Sequence, residues 1–140
     1  MKAKRVKLRL LPVGLMLLAA LVVAGTYPNR RGESAPSRLE TRCGWFSNPT
    51  PGNIWLYDRD AEWTIGVQGG YQVEGDWEWP EFKRGQWVNT NNNYGYGCVC
   101  MQLSVNKETQ EVLEIKSARA RPLATCRRDR ALNRWKQKLE

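Results

Sequence analysis

The segment NTNNNYGYGCVCMQLSV, residues 89–105, predicts a turn followed by a β-strand, and the other strands are placed relative to this one. Its apolar residues alternate with other residue types, so they share one face of an extended chain, which we expect to face the core. These residues are Val99, Met101, Leu103 and Val105. Cys98 and Cys100 share the opposite face, and two such neighbours lie roughly 6–7 Å apart, too far to form an unstrained disulfide. Each of them therefore needs another partner, which only Cys43 or Cys126 can supply.

The four cysteines allow three disulfide pairings. Excluding a bond between Cys98 and Cys100 also excludes Cys43 with Cys126, which leaves two pairings open. In a hairpin that places position 105 opposite position 112, Cys98 faces about position 119. The chain leaving the hairpin then passes closer to Cys98 than to Cys100, which favours Cys98 with Cys126 and Cys43 with Cys100. Each bond would stabilise a domain this small by about 2–4 kcal/mol.

Structural disulfides are the favoured role of the cysteines, and a thiol redox or metal site at Cys98 and Cys100 is the alternative. The Cys-x-Cys spacing is tighter than that of common zinc sites. The chain has no histidine, so the commonest general base and metal ligand at neutral pH is missing. We predict no catalytic residue, no metal site and no cofactor, and we favour a protein that is not an enzyme.

The first 40 residues predict export. Basic residues without any acid precede an apolar run over residues 10–24 that ends in Val22-Val23-Ala24, which is the arrangement of a secretory signal peptide. We predict a signal at 1–24, a disordered linker at 25–40, a β domain at 41–127 and a basic tail with a short helix at 128–140. Because the cleavage site is not a clean Ala-x-Ala, an uncleaved inner-membrane anchor is the alternative to cleavage. The predicted location is periplasmic or secreted.

The strongly basic composition does not predict nucleic-acid binding. The chain has 22 lysines and arginines against 14 acids, but five of the bases lie before Gly25 and six lie from Arg127 onward. The segment between Cys43 and Cys126 is acidic, with seven bases against ten acids. Since the positive charge belongs to the signal and the tail, we expect no nucleic-acid partner. We expect contact with a membrane only through an uncleaved N-terminal segment.

Short alternating segments predict an all-β domain. We expect strands at 43–46, 54–58, 62–67 and 87–88, and a hairpin formed by strands at 98–105 and 111–118. Leu113 and Ile115 are expected on one face of the last strand. No helical periodicity interrupts these strands. The pattern predicts a small antiparallel sheet of five or six strands that curls toward a barrel, stapled by disulfides and followed by a short C-terminal helix.

Seven tryptophans in 140 residues suggest both core and ligand-binding roles. Those expected in the core are Trp45, Trp55 and Trp63. Trp77 and Trp79 lie two residues apart in an acidic loop, so we expect both to be exposed on the same side, and exposed apolar area of this kind marks interaction sites. The candidate ligand-binding residues are Trp77, Trp79, Tyr57 and Tyr71. The predicted partner is an envelope glycan, peptide or protein.

Carboxylates recur at every second position in Asp58, Asp60 and Glu62. We interpret them as a solvated turn. A calcium loop is excluded because Trp63 stands where the glycine of the sharp turn should be, and Gly69 stands where the closing glutamate should be.

Several motifs in order along the chain resemble a known family. They are RCGWF from Arg42, NPTPGNIWL from Asn48, DRD from Asp58, WTI from Trp63, QGGY from Gln68, YGYGCVCM from Tyr94 and PLATCR from Pro122. From about Arg42 to Asp129 the chain is similar to the small exported bacterial proteins grouped as domain of unknown function 4087. The resemblance implies a periplasmic or secreted bacterial protein with the cysteines as its framework, and it implies no activity.

These observations favour an exported, non-enzymatic binding or structural module that uses exposed aromatic side chains. The alternative is a thiol redox or metal-binding protein that uses Cys98 and Cys100.

Overall fold

The structure, a computed structural model, describes residues 38–139. The predicted signal or anchor at 1–24 lies outside the described residues, as does the predicted linker at 25–40 up to residue 37. The described part begins its first strand at Glu40, one residue before the predicted start of the domain.

Six β-strands come first and three short helical segments follow. The strands are β1 (Glu40–Thr50), β2 (Asn53–Asp58), β3 (Glu62–Gly66), β4 (Trp87–Asn91), β5 (Tyr94–Asn106) and β6 (Glu111–Arg121). The helical segments are α1 (Leu123–Arg128), a 3₁₀ helix (Arg130–Trp135) and α2 (Lys136–Leu139). All six strands were expected from the sequence, and β1, β4 and β5 extend well beyond their predicted ends.

Five of the strands form a ring, in the order β1-β2-β3-β6-β5 and back to β1. Each neighbouring pair is antiparallel except β3 and β6, which meet through one parallel pair, Thr64 and Glu111. The predicted all-β sheet that curls toward a barrel is confirmed, and this contact makes the sheet mixed. When β4 is left aside, the parallel pair consists of the third and fifth strands in chain order, β3 and β6.

Two β-bulges change the register of β6 against β5. Val105 lies opposite Val112, as predicted, but Leu113 and Lys116 are extra residues with no partner on β5. Each bulge advances β6 by one position, so Cys98 faces Arg121 rather than position 119. For the same reason the expectation that Leu113 shares a face with Ile115 is wrong: Ile115 is buried, whereas Leu113 is 36% exposed.

The inside of the barrel is aliphatic and aromatic. Its buried residues are Phe46, Ile54, Leu56, Trp63, Ile65, Val99, Met101, Leu103, Val112 and Ile115. The four apolar residues of β5 expected on the core face all pack into this core, although Val105 is only partly buried. Trp63 belongs to it as expected, whereas Trp45 is buried in a second cluster and Trp55 is only half-buried beside that cluster.

The second apolar cluster lies on the outer side of the barrel, beneath the C-terminal segment. It consists of Trp45, Tyr57, Cys98, Cys126, Leu132 and Leu139. The Trp135 Nε1–H donates a hydrogen bond of 2.6 Å to the Asp58 carbonyl, and Lys138 pairs with Glu62. Residues 128–139, which the sequence predicted as a tail with a short helix, are thus packed against the strands.

Two disulfides are formed, one between two strands and one between a strand and the C-terminal segment, and their pairs are those favoured from the sequence. Cys43 and Cys100 lie opposite each other on β1 and β5, with their Cα atoms 4.0 Å apart. Cys98 of β5 is bonded to Cys126 of α1. Cys98 and Cys126 are buried, whereas Cys43 is exposed and Cys100 half-buried. The two bonds therefore differ in their access to solvent.

Candidate functional site

A long loop, residues 74–86, precedes β4 and packs against β1 and β5. Phe46, fully buried in β1, is the centre of its contacts: the rings of Trp77, Trp79 and Phe82 lie 5.4–6.4 Å from the Phe46 ring. The ring of Trp87, the first residue of β4, also lies 6.4 Å from it. Phe82 packs directly over Gly97, where a Cβ atom would come within 2.3 Å of the Phe82 ring. A glycine at position 97 is what lets the loop lie this close to β5.

Trp77 and Trp79 are stacked on each other at the surface of this loop. Their ring centroids are 5.2 Å apart and their planes differ by 23°. Trp79 is 49% exposed and Trp77 is half-buried. Because each tryptophan also contacts Phe46, the pair is held in place by the core. The two tryptophans that the sequence selected thus lie together, with apolar surface open to solvent.

A groove of about 970 Å³ runs between this loop and β6. The loop wall carries the two tryptophans and three carboxylates. The opposite wall is formed by five consecutive residues of β6. The residues lining the groove are Asp76, Trp77, Glu78, Trp79, Glu81, Lys116, Ser117, Ala118, Arg119 and Ala120. Its size is that of a ligand site, and it combines an aromatic surface with opposite charges on its two walls.

The β6 wall of the groove is a strand edge. Within residues 38–139, β6 pairs with β5 over its whole length but with β3 only at Glu111. No backbone hydrogen bond joins residues 113–121 to the loop in that described part. Because strand residues have their N–H and C=O groups directed to alternate sides, about half of those groups in Lys116–Ala120 face the groove without a strand partner.

The two tyrosines predicted at the site lie elsewhere. The Tyr71 hydroxyl donates a hydrogen bond of 2.6 Å to the Val112 carbonyl at the start of β6. Burial raises the pKa of Tyr71, and the charges of Glu111 and Glu74 raise it further. Tyr57 is 4% exposed and lies beneath Trp135 in the second apolar cluster, on the outer side of the barrel. Tyr71 is therefore a support at one end of β6, and Tyr57 is left out of the candidate site.

A smaller pocket of about 330 Å³ surrounds a buried ion pair between β1 and the turn after β2. Arg42, 8% exposed, donates a hydrogen bond of 2.5 Å to Asp58, 2% exposed. It also binds Glu40 and Asp60, and its guanidinium lies 4.2 Å from the centre of the Trp63 ring. Burial alone would lower the pKa of Arg42, but the hydrogen bonds to Asp58 and Glu40 outweigh it and raise the pKa.

The interpretation of these carboxylates as a solvated turn is wrong for Asp58. Its Oδ1 accepts hydrogen bonds from the backbone N–H groups of Asp60 and Ala61, while its Oδ2 holds Arg42. Both carboxylate oxygens of Asp58 and all three guanidinium nitrogens of Arg42 thus have partners inside the protein. We assign the cluster to the structure of the turn and not to a ligand.

The cysteines do not form a Cys-x-Cys site in this structure. Cys98 and Cys100 belong to different disulfides, and in the part of the chain that the structure describes no cysteine is free. Among residues 38–139, no three His, Cys, Asp or Glu side chains come together as metal ligands would. Thiol chemistry through Cys98 would require opening a buried bond.

Sequence reasoning found the loop wall of the groove and missed the β6 wall. The tryptophans stood out because acids flank them, whereas Lys116–Ala120 is an ordinary strand sequence. Only the pairing of β6 with β5 on one side and its separation from β3 on the other expose this edge. The buried ion pair of Arg42 was also missed. Its only signal in the sequence is a charged residue among the alternating residues of β1.

Comparisons with known proteins give one family. A family model described as a protein of unknown function (DUF4087) matches residues 37–133. No curated protein and no solved structure matches the chain. In residues 38–139, no helix is long and apolar enough to span a bilayer.

Proposed function

We propose that this chain, which belongs to the DUF4087 family of proteins of unknown function, is an exported binding module that holds its ligand in the groove between loop 74–86 and β6. In this proposal the protein has no catalytic residue. The tryptophan pair provides the apolar contact surface, and the charged residues on the two walls orient the ligand.

The observation that carries the proposal is the exposed, core-anchored pair of Trp77 and Trp79 at the rim of the groove. Exposing a tryptophan to water forgoes about 25 cal/mol for each Å² of apolar surface that could have been buried. Trp79 nevertheless stays 49% exposed although it contacts the fully buried Phe46. Large aromatic side chains fixed at the edge of a concave surface are typical anchors of binding sites.

Export is supported by the two disulfides and by the N-terminal sequence. Disulfides form and persist outside the cytoplasm, and the described part of the chain has both of its bonds formed. The basic and apolar segment before residue 25 is that of a signal peptide. We propose the periplasm or the extracellular space as the location of the protein, with an uncleaved membrane anchor as the alternative to a cleaved signal.

Tryptophan fluorescence titrations test this proposal. The folded protein is titrated with two separate sets of probes: soluble fragments of the cell wall glycan, and short extended peptides. We expect one set to shift the emission of the wild type and of Trp55→Ala, which alters a tryptophan of the second cluster. Trp79→Ala should reduce the affinity at least tenfold. A wild type that responds to neither set, or a Trp79→Ala protein that binds as well as Trp55→Ala, would contradict a ligand site in the groove.

A further inference from the structure

The groove is bounded by a strand edge as well as by aromatic side chains, and this bears on the kind of ligand it takes. Neighbouring residues of a strand point their side chains to opposite faces. Five consecutive residues, Lys116–Ala120, nevertheless line the same groove. The groove therefore lies along the backbone edge of β6, and its wall is formed by main-chain groups together with side chains from both faces.

We propose that the groove takes an extended polypeptide segment, which adds to β6 as a further strand. This inference rests on the proposed function and deepens it. Main-chain hydrogen bonds between an added strand and a sheet edge provide affinity for an extended peptide, while side-chain pockets give specificity. The part of β6 from residue 113 onward has such an edge, since within residues 38–139 it is bonded to β5 alone.

The charges of the groove define the peptide further. Asp76, Glu78 and Glu81 on the loop wall stand against Lys116 and Arg119 on the strand wall. A peptide strand between them directs alternate side chains toward opposite sides. The three carboxylates outnumber the two cations, and the tryptophan pair offers apolar surface. The occupant is therefore an extended segment that alternates apolar residues with basic ones.

A second copy of this chain fits the edge less well than a peptide does. Natural sheets protect a free edge from other sheets by bulges and by lysine or arginine side chains. β6 has bulges at Leu113 and Lys116 and carries Arg119 and Arg121. The loop that bears Trp77 and Trp79 forms the other wall of the groove. The loop wall stands in the way of another barrel, whereas a single extended chain needs only the groove itself.

The test uses three octapeptides and one sugar. The first peptide alternates lysine and valine. The second has the same side chains with alternate backbone amides N-methylated, which removes donors that a strand partner needs. The third alternates glutamate and valine, and the sugar is a hexamer of N-acetylglucosamine. Binding is followed by tryptophan fluorescence and by amide hydrogen exchange of the full folded chain.

We expect the lysine–valine peptide to bind and to slow amide exchange at alternate residues of Lys116–Ala120. The N-methylated peptide and the glutamate–valine peptide should each bind at least tenfold more weakly. Lys116→Glu should strengthen binding of the lysine–valine peptide, because it replaces a cation of the groove with an acid without altering the backbone edge. Trp79→Ala should weaken binding, with Trp55→Ala as the matched control.

The outcomes separate this inference from the proposed function. If the sugar hexamer binds in a manner that depends on Trp79 and the peptides do not, the groove is a ligand site but the strand-addition inference is wrong. The inference is also overturned if the lysine–valine peptide binds equally well after N-methylation, or if exchange at Lys116–Ala120 is unchanged. Self-association through β6, seen by sedimentation, would overturn it in favour of a second copy. If no probe binds, both proposals fail.

Discussion

At the scale of single residues, Arg42 and Asp58 form the most consequential polar contact of the described chain. Both are nearly inaccessible to water, at 8% and 2% exposure. A buried ion pair is weak evidence for net stability, since removing two charges from water is costly. Once the pair exists, however, removal of one partner leaves the other charge buried and uncompensated. The pair therefore makes the turn after β2 sensitive to substitution.

We predict that Arg42→Ala lowers the free energy of unfolding by about 3–5 kcal/mol, because Asp58 is then left buried without its cation. Arg59→Ala is the matched control. Arg59 pairs with Asp129 across 3.5 Å while 69% exposed, and loss of such a surface pair should cost less than about 1 kcal/mol. Urea unfolding measures the free energy of unfolding of both variants. The double variant Arg42→Met/Asp58→Asn should recover part of the loss, and an Arg42→Ala protein as stable as Arg59→Ala would contradict the prediction.

Tyr57 makes the free energy of unfolding depend on pH. Burial raises the pKa of Tyr57 above its usual value of about 10, and the charge of Glu62 raises it further. Above pH 10 the unfolded chain loses this proton before the folded protein does, so stability is fully present below pH 10 and falls as the pH rises. We expect the free energy of unfolding of the wild type to fall by about 1 kcal/mol more than that of Tyr57→Phe between pH 9 and pH 11. Equal losses in the two proteins, measured by urea unfolding, would rule out this role for Tyr57.

At the scale of elements, the two disulfides tie β5 to its partners from different environments. The Cys43–Cys100 bond joins β5 to β1 at the surface, whereas the Cys98–Cys126 bond joins β5 to α1 inside the second apolar cluster. Thiolates must reach a sulfur atom to open a disulfide, so exposure controls which bond reacts first. The alternation along β5 that places both sulfurs on the outer face does not by itself distinguish the two bonds.

We predict that mild reductant opens Cys43–Cys100 first. After partial reduction of the folded protein and alkylation, mass spectrometry should find the label on Cys43 and Cys100 while Cys98 and Cys126 remain bonded. Denaturation before reduction serves as the control, and should label all four cysteines alike. Preferential labelling of Cys98 and Cys126 in the folded protein would show that the second cluster does not shield its disulfide.

The same elements show what a sequence can and cannot predict. The position of β5 follows from local alternation, and so do its two faces, because side chains of a strand alternate whatever surrounds it. The bulges at Leu113 and Lys116 do not follow from local alternation, because they depend on how β6 curves around the closed ring. The free edge of β6 depends in turn on one parallel contact, Thr64 with Glu111, between segments far apart in the chain. Half of the candidate site is thus set by tertiary pairing.

At the scale of the whole molecule, the C-terminal segment decides which surfaces remain free. On the outer face of β2 and β3, Trp135 covers Tyr57 and Lys138 pairs with Glu62. That face is therefore occupied by the protein's own chain. The groove beside β6 is the larger of the two concave surfaces described here, and it stays open.

The importance of this covering segment can be measured at Leu132. The side chain is 2% exposed and packs in the cluster with Trp45, Tyr57 and the Cys98–Cys126 bond, so Leu132→Ala removes buried methyl groups and leaves a cavity. We predict a loss of about 2–4 kcal/mol in the free energy of unfolding. Leu113→Ala, at a 36% exposed position, should cost less than about 1 kcal/mol. If the two variants were equally stable in urea, Leu132 would contribute little to the packing of the C-terminal segment in the second cluster.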